Sequence, residues 1–160
     1  MIVVSNTTPL IGLGRIGRID LLATIFGQII VPQAVYSEIS AVEDEIKKAL
    51  NAAAWLRVEP VRDRLAVEVL LDELDLGEAE TIVLGREINA DWVLMDEKKG
   101  RRKLAELGLR KIGSVGILIS ARQSGVIDNL HDELTRLRQQ GFSLSQSVFE
   151  AALRQVGELL

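Results

Sequence analysis

The chain has 160 residues, 48% of them hydrophobic and 26% charged, and its 23 acids against 19 lysines and arginines leave a net charge of -4. It has no cysteine and a single histidine, His131, which excludes disulfides, thiolate zinc sites and histidine-rich metal sites and argues against a Ser-His-Asp triad. A chain of this length can bury one sizeable core, so one domain over residues 1–160 is expected, and any catalysis in it must rest mainly on carboxylates.

Short β-branched apolar runs alternate with longer amphipathic stretches, the pattern of an α/β fold. The opening MIVVSNTTPL has neither the basic region nor the long apolar run of a signal peptide, and no apolar run approaches the roughly 20 residues of a spanning helix. A cytoplasmic protein is the expectation. Ile2 to Ser5 is the first predicted strand. Polar Ser5, Asn6, Thr7 and Thr8 follow it, then Pro9, so a helix begins there with cap chemistry in its first turn. The second helix covers Arg18 to Phe26 and stops at Gly27. Gln28 to Val31 is the second strand, after which Pro32 opens a helix with Val35 and Ile39 on one face and Glu38 off it.

Ala41 to Ala53 is a further helix, Trp55 to Glu59 the third strand, and Val61 to Asp72 another helix. Asp75, Leu76 and Gly77 then read as a loop feeding a helix from Glu78 to about Ile88. Glu78 and Glu80 in its first turn suit the positive end of the helix dipole. The fourth strand, Trp92 to Met95, runs into Asp96 and a basic helix that ends at Gly108. A short fifth strand, Arg110 to Ile112, precedes a helix over Val115 to Gln123 that Ser114 is expected to cap, and helices near Asp128 to Gln139 and Ser145 to Gly157 close the chain.

In open parallel sheets, ligands bind beyond the carboxyl ends of the strands, at the point where strand order reverses. Asn6 and Asp96 are each the first polar group after an apolar strand, and Glu38 and Glu78 are further candidates for the same rim, although spacing alone does not show that they converge on it. Such oxygen donors suit Mg²⁺ or Mn²⁺, hard ions that keep several waters while gripping phosphate and that activate water for attack on a phosphodiester. Lys98, Lys99, Arg101, Arg102 and Lys103 place five basic residues in six positions, beginning two residues after Asp96. A solvated helix face explains such a run, and so does contact with an RNA backbone, for which Lys98 and Arg101 are the candidates.

Five segments in order, VVSNTTPLIGLGRIG, IIVPQAVYSEI, LDLGEAETIVLGRE, WVLMDEKKGRRKLAELGL and GSVGILISARQSGVI, resemble a prokaryotic branch of PIN-domain proteins described as predicted nucleic-acid-binding proteins and similar to VapC-type toxin ribonucleases. The resemblance implies a PIN-like three-layer α/β/α fold in one domain, with a central parallel sheet of about five strands and C-terminal helices from about residue 128. It also implies a Mg²⁺- or Mn²⁺-dependent endoribonuclease, the toxin of a type II toxin-antitoxin pair, with RNA, a cognate antitoxin and a second copy of the chain as partners.

By that resemblance the four acidic positions fall on Asn6, Glu38, Glu78 and Asp96, with Glu80 a rival to Glu78 and Glu97 beside Asp96. Asn6 departs from the family pattern, which has aspartate there, and an amide oxygen can ligate a cation without contributing charge. A catalytically weak PIN-fold module that binds RNA or protein is therefore the alternative. A flavodoxin-like or receiver-like domain is a third, disfavoured by the lack of a glycine-rich phosphate loop and of clustered acids at the first strand end.

Each of these residues also has a plainer reading. Asn6, Ser5, Thr7 and Thr8 can be helix caps, Glu38 a solvated residue, and His131 a surface or cap residue. Trp55 and Trp92 suit core or interface positions. The spacing of Phe142, Leu144, Val148, Phe149, Ala152 and Leu153 suits packing on the domain or on a partner.

Overall fold

A computed structural model describes residues 1–160. Its five strands are β1 (Val3–Ser5), β2 (Ile29–Pro32), β3 (Leu56–Glu59), β4 (Trp92–Leu94) and β5 (Lys111–Ile112). They form one sheet in the order β3-β2-β1-β4-β5, and every pairing is parallel. Each of the five strand expectations corresponds to one of these, with ends differing by one residue.

Ten helices connect and flank the strands: α1 (Thr7–Arg15), α2 (Asp20–Phe26), α3 (Gln33–Ile39), α4 (Asp44–Asn51), α5 (Arg64–Leu70), α6 (Leu76–Glu87), α7 (Lys98–Glu106), α8 (Ser114–Gln123), α9 (Leu130–Gln139) and α10 (Gln146–Gln155). The sheet with helices on both faces is the three-layer α/β/α arrangement expected of a PIN-like fold. The helix expected from Glu78 begins two residues earlier, at Leu76, and two others begin three residues later than their sequence pattern. The one expected from Ala41 begins only at Asp44, and the one expected from Val61 waits for Asp63, whose carboxylate accepts the Ala66 N–H at 3.0 Å and supplies the cap.

Side-chain alternation along the strands divides the core. Leu94 joins Val3, Ile29 and Val31 on the face covered by α1, α2, α3 and the C-terminal helices, whereas its neighbours Val93 and Met95 pack with Leu74, Ile82 and Leu104 on the other face. Phe149, Ala152 and Leu153 of α10 are buried in the larger cluster, with Phe142 and Leu144 packed against it, so the C-terminal apolar spacing serves the domain's own core; Val148 alone of that set is exposed. Trp55 and Trp92 pack partly buried against the same cluster, and Arg110 stacks over the Trp92 ring at 4.8 Å. No helix is long and apolar enough to cross a membrane.

The strand order places the chain reversal between β1 and β4, where Val3, Val4 and Ser5 pair with Trp92, Val93 and Leu94. The Asn6 N–H continues that pairing to the Leu94 carbonyl at 3.0 Å. Whatever follows these two strands is thereby brought side by side at the carboxyl edge of the sheet.

Candidate active site

Asn6 ends β1 with extended backbone and stands at the cap position of α1, yet its side chain makes no cap hydrogen bond. Its amide nitrogen instead donates to Glu97 Oε2 at 3.0 Å and approaches Met95 Sδ at 3.5 Å. Thr7 and Thr8 likewise turn away from capping. Thr7 Oγ1 donates to Glu38 Oε2 at 2.6 Å, and Thr8 Oγ1 to Glu97 Oε1 at 2.5 Å. The turn after β1 is therefore a set of donors aimed at carboxylates from α3 and from the end of β4.

Glu38 is exposed on α3 and reaches back over the start of α6. Gly77 makes this possible, because a Cβ there would overlap Glu38 Oε1, press its Cδ at 3.2 Å and stand 3.5 Å from Asn6 Oδ1. α6 opens with a capping box: Asp75 accepts the Glu78 N–H at 2.8 Å, and Glu78 Oε1 accepts the Asp75 N–H at 3.0 Å. One carboxylate oxygen of Glu78 remains outside that box.

Glu80, two residues further along α6, is committed elsewhere. It accepts the Ala34 N–H at 3.0 Å and pairs with Arg64 at 2.8 Å, tying α6 to α3 and α5. Its role is structural, which leaves Glu78 as the α6 acid near the site.

Asp96 accepts two bonds of 2.7 Å, from the Ser114 N–H and from Ser114 Oγ. The expected cap is thus reversed. Gly113 occupies the cap position of α8, Ser114 lies within the first turn, and the Asp96 carboxylate accepts the buried Ser114 N–H at the positive end of that helix. Arg101 donates to the Met95 carbonyl at 3.0 Å and stands close to Asp96 across Gly113, while Lys98 is exposed beside it.

Electrostatics marks the cluster as uncompensated. None of Glu38, Glu78, Asp96 and Glu97 has an ion-pair partner. Burial pushes the Glu78 carboxyl above its ordinary value; the Asp75 N–H works against this, and the negative charges of Asp75, Glu97 and Glu38 add to it. Burial also raises Asp96, against the opposing effect of its Ser114 hydrogen bonds, with Glu97 raising it further and Arg101 lowering it. No three acidic or histidine side chains in the chain stand close enough to form a ready cation cage. The oxygen donors present are of the kind that suits a hard divalent cation, whose charge would relieve this repulsion.

Beside the acids lies a cleft of 490 Å³ lined by Thr7, Thr8, Asp96, Glu97 and Lys98, with Arg15 and the Gln140–Ser143 turn completing its wall. Residues 2–158 match a family described as PIN domain. The chain belongs to the PIN-domain family. None of the curated proteins matches it.

Several groups of this PIN domain's candidate site escaped sequence reasoning: Thr7 and Thr8 as carboxylate donors, Ser114 as the partner of Asp96, and Arg15 on the cleft wall. The first two directly follow Asn6, a signal that cap propensity masked. Ser114 and Arg15 carry no local signal, because tertiary folding alone brings them to Asp96 and the cleft.

Proposed function

We propose that this PIN domain, acting as one unit over residues 1–160, is a metal-dependent endoribonuclease and the toxin of a type II toxin-antitoxin pair. The observation that carries the reading is that Asp96 and Glu97, neither with an ion-pair partner, line an open cleft at the sheet's reversal point with Arg15 and Lys98 on its wall, while Asn6 and Thr7 of the same turn hold Glu97 and Glu38. Glu38, Glu78 and Asp96, with the amide oxygen of Asn6, would hold Mg²⁺ or Mn²⁺. The chemistry such an ion supplies when bound is stabilisation of charge on the phosphoryl group and acidification of water. Thr7 and Ser114 orient Glu38 and Asp96, and Lys98 and Arg101 hold the RNA backbone so that the scissile phosphate faces the carboxylates.

The test uses purified protein with single-stranded RNA and Mn²⁺. Cleavage that Asp96→Asn abolishes is expected, and Lys98→Ala should weaken RNA binding and flatten its salt dependence by about one phosphate contact. Absence of both cleavage and millimolar Mn²⁺ binding would refute the proposal. A second reading, a PIN module that binds RNA without cutting it, is favoured by the neutral Asn6 and the lack of a closed cage; RNA binding with no cleavage under any divalent ion would establish it.

A second copy of the chain is the partner that α5 suits. Leu65 and Val69, 72% and 65% exposed, form an apolar strip above a groove shared with Ile82, Val83 and Leu107. Arg62 and Arg64 flank one end of α5 and Glu68, Asp72 and Glu73 the other, so two copies packed antiparallel would place opposite charges together.

A further inference from the structure

Asn6 brings no charge to the end of β1, and the chain has a second acid immediately after Asp96. Because β1 and β4 are hydrogen-bonded neighbours in register, the residues after them meet across the strand ends. Glu97 there is held on both oxygens by the β1–α1 turn, Oε2 by the Asn6 amide at 3.0 Å and Oε1 by Thr8 at 2.5 Å. It occupies the cap position of α7 but makes no cap hydrogen bond to that helix; its side chain turns from its own helix towards β1.

Building on the metal-site reading above, we propose that Glu97 supplies from the β4 side the negative charge that position 6 lacks, with Asn6 as its positioning residue. The two side chains form a complementary pair. The amide nitrogen can donate to Glu97, whereas an aspartate at position 6 would set two carboxylates against each other at the same separation, with only Thr8 left as a donor. The neutral residue and the additional acid are thus parts of one arrangement, in which the charge at the paired strand ends comes from β4 and the donors that hold it come from the β1–α1 turn.

The experiment is Mn²⁺ titration of the full chain, followed by the electron paramagnetic resonance signal of free Mn²⁺, together with thermal melts with and without the ion. Wild type, Glu97→Gln, Asn6→Asp and the double variant are compared. Glu97→Gln should weaken Mn²⁺ binding about 10-fold or more, and the double variant, which returns the charge to position 6, should recover most of that loss. Asn6→Asp alone should melt below wild type without metal and gain more than wild type from added Mn²⁺. Unchanged affinity in Glu97→Gln overturns the proposal, as does a double variant that binds no better than Glu97→Gln. If Glu97→Gln does not fold, the double variant measured against wild type decides alone, with affinity near wild type expected and a 10-fold loss overturning the idea. A wild type that binds no Mn²⁺ instead overturns the metal-site reading itself, an outcome separate from these.

Discussion

Gly77→Ala separates the position of Glu38 from the stability of the fold. Gly77 is buried in the first turn of α6, and the methyl would overlap Glu38 Oε1 while lying 3.5 Å from Asn6 Oδ1. The obstructing atom is the end of a flexible, exposed side chain, so Glu38 can swing away and lose its bond to Thr7. Losing a hydrogen bond of this kind costs about 1 kcal/mol. Replacing glycine by alanine in a helix returns about 1 kcal/mol at an interior position and less in the first turn. The two offset, and the melting temperature should move by no more than about 4 °C.

Cleavage should nevertheless fall about 100-fold, because a group displaced by about 1 Å no longer holds its productive geometry. Melting curves and RNA cleavage rates in Mn²⁺ measure the two effects on the same preparation, with Glu38→Gln as the reference for loss of the carboxylate's charge. Full activity in Gly77→Ala would refute the placement of Glu38 in the site. A stability loss above about 3 kcal/mol would show that the methyl meets something less yielding than a side-chain tip.

Three other outcomes are expected. Glu80→Ala should destabilise the protein by about 2 kcal/mol, since it leaves the Ala34 N–H without its carboxylate, and should leave the cleavage rate per folded molecule nearly unchanged; urea unfolding and activity assays check this. Because Glu78 and Asp96 have folded-state values above their ordinary 4.5 and 3.8, the native state binds more protons than the unfolded chain between each ordinary value and the raised one, and their contribution to stability falls as pH rises through that range. Glu78→Gln keeps an acceptor for the Asp75 N–H and should therefore raise the metal-free melting temperature at pH 7 more than at pH 4, an ordering that melts across this range would confirm or overturn. Leu65→Glu on α5 should shift the protein towards monomer in sedimentation while changing its stability by less than about 0.5 kcal/mol.

The fold was legible in the sequence because its strands are short β-branched runs bounded by caps and glycines, and such signals are local. Val3 to Ser5 and Trp92 to Leu94 could be read without knowing what lay beside them. The two strand-end positions, Asn6 and Asp96, followed from the same reading, since the first polar group after a buried parallel strand has few places to go.

What local pattern could not settle was the choice between caps and site groups. Asn6, Thr7, Thr8 and Ser114 have the same side-chain chemistry in either role, and only the neighbouring β4 and α3 supply the carboxylates that draw them away from their own helices. Glu78 and Glu80 were equally indistinct. They sit two residues apart on one helix, so they point in different directions, and Arg64 and Ala34 claim one while the capping box leaves the other beside the cluster. The sequence by itself determined the α/β layers, the family and the supply of carboxylates in a chain without cysteine. The pairing of β1 with β4 decided which of those carboxylates meet, because strand order is a property of the whole sheet and no stretch of sequence encodes it alone.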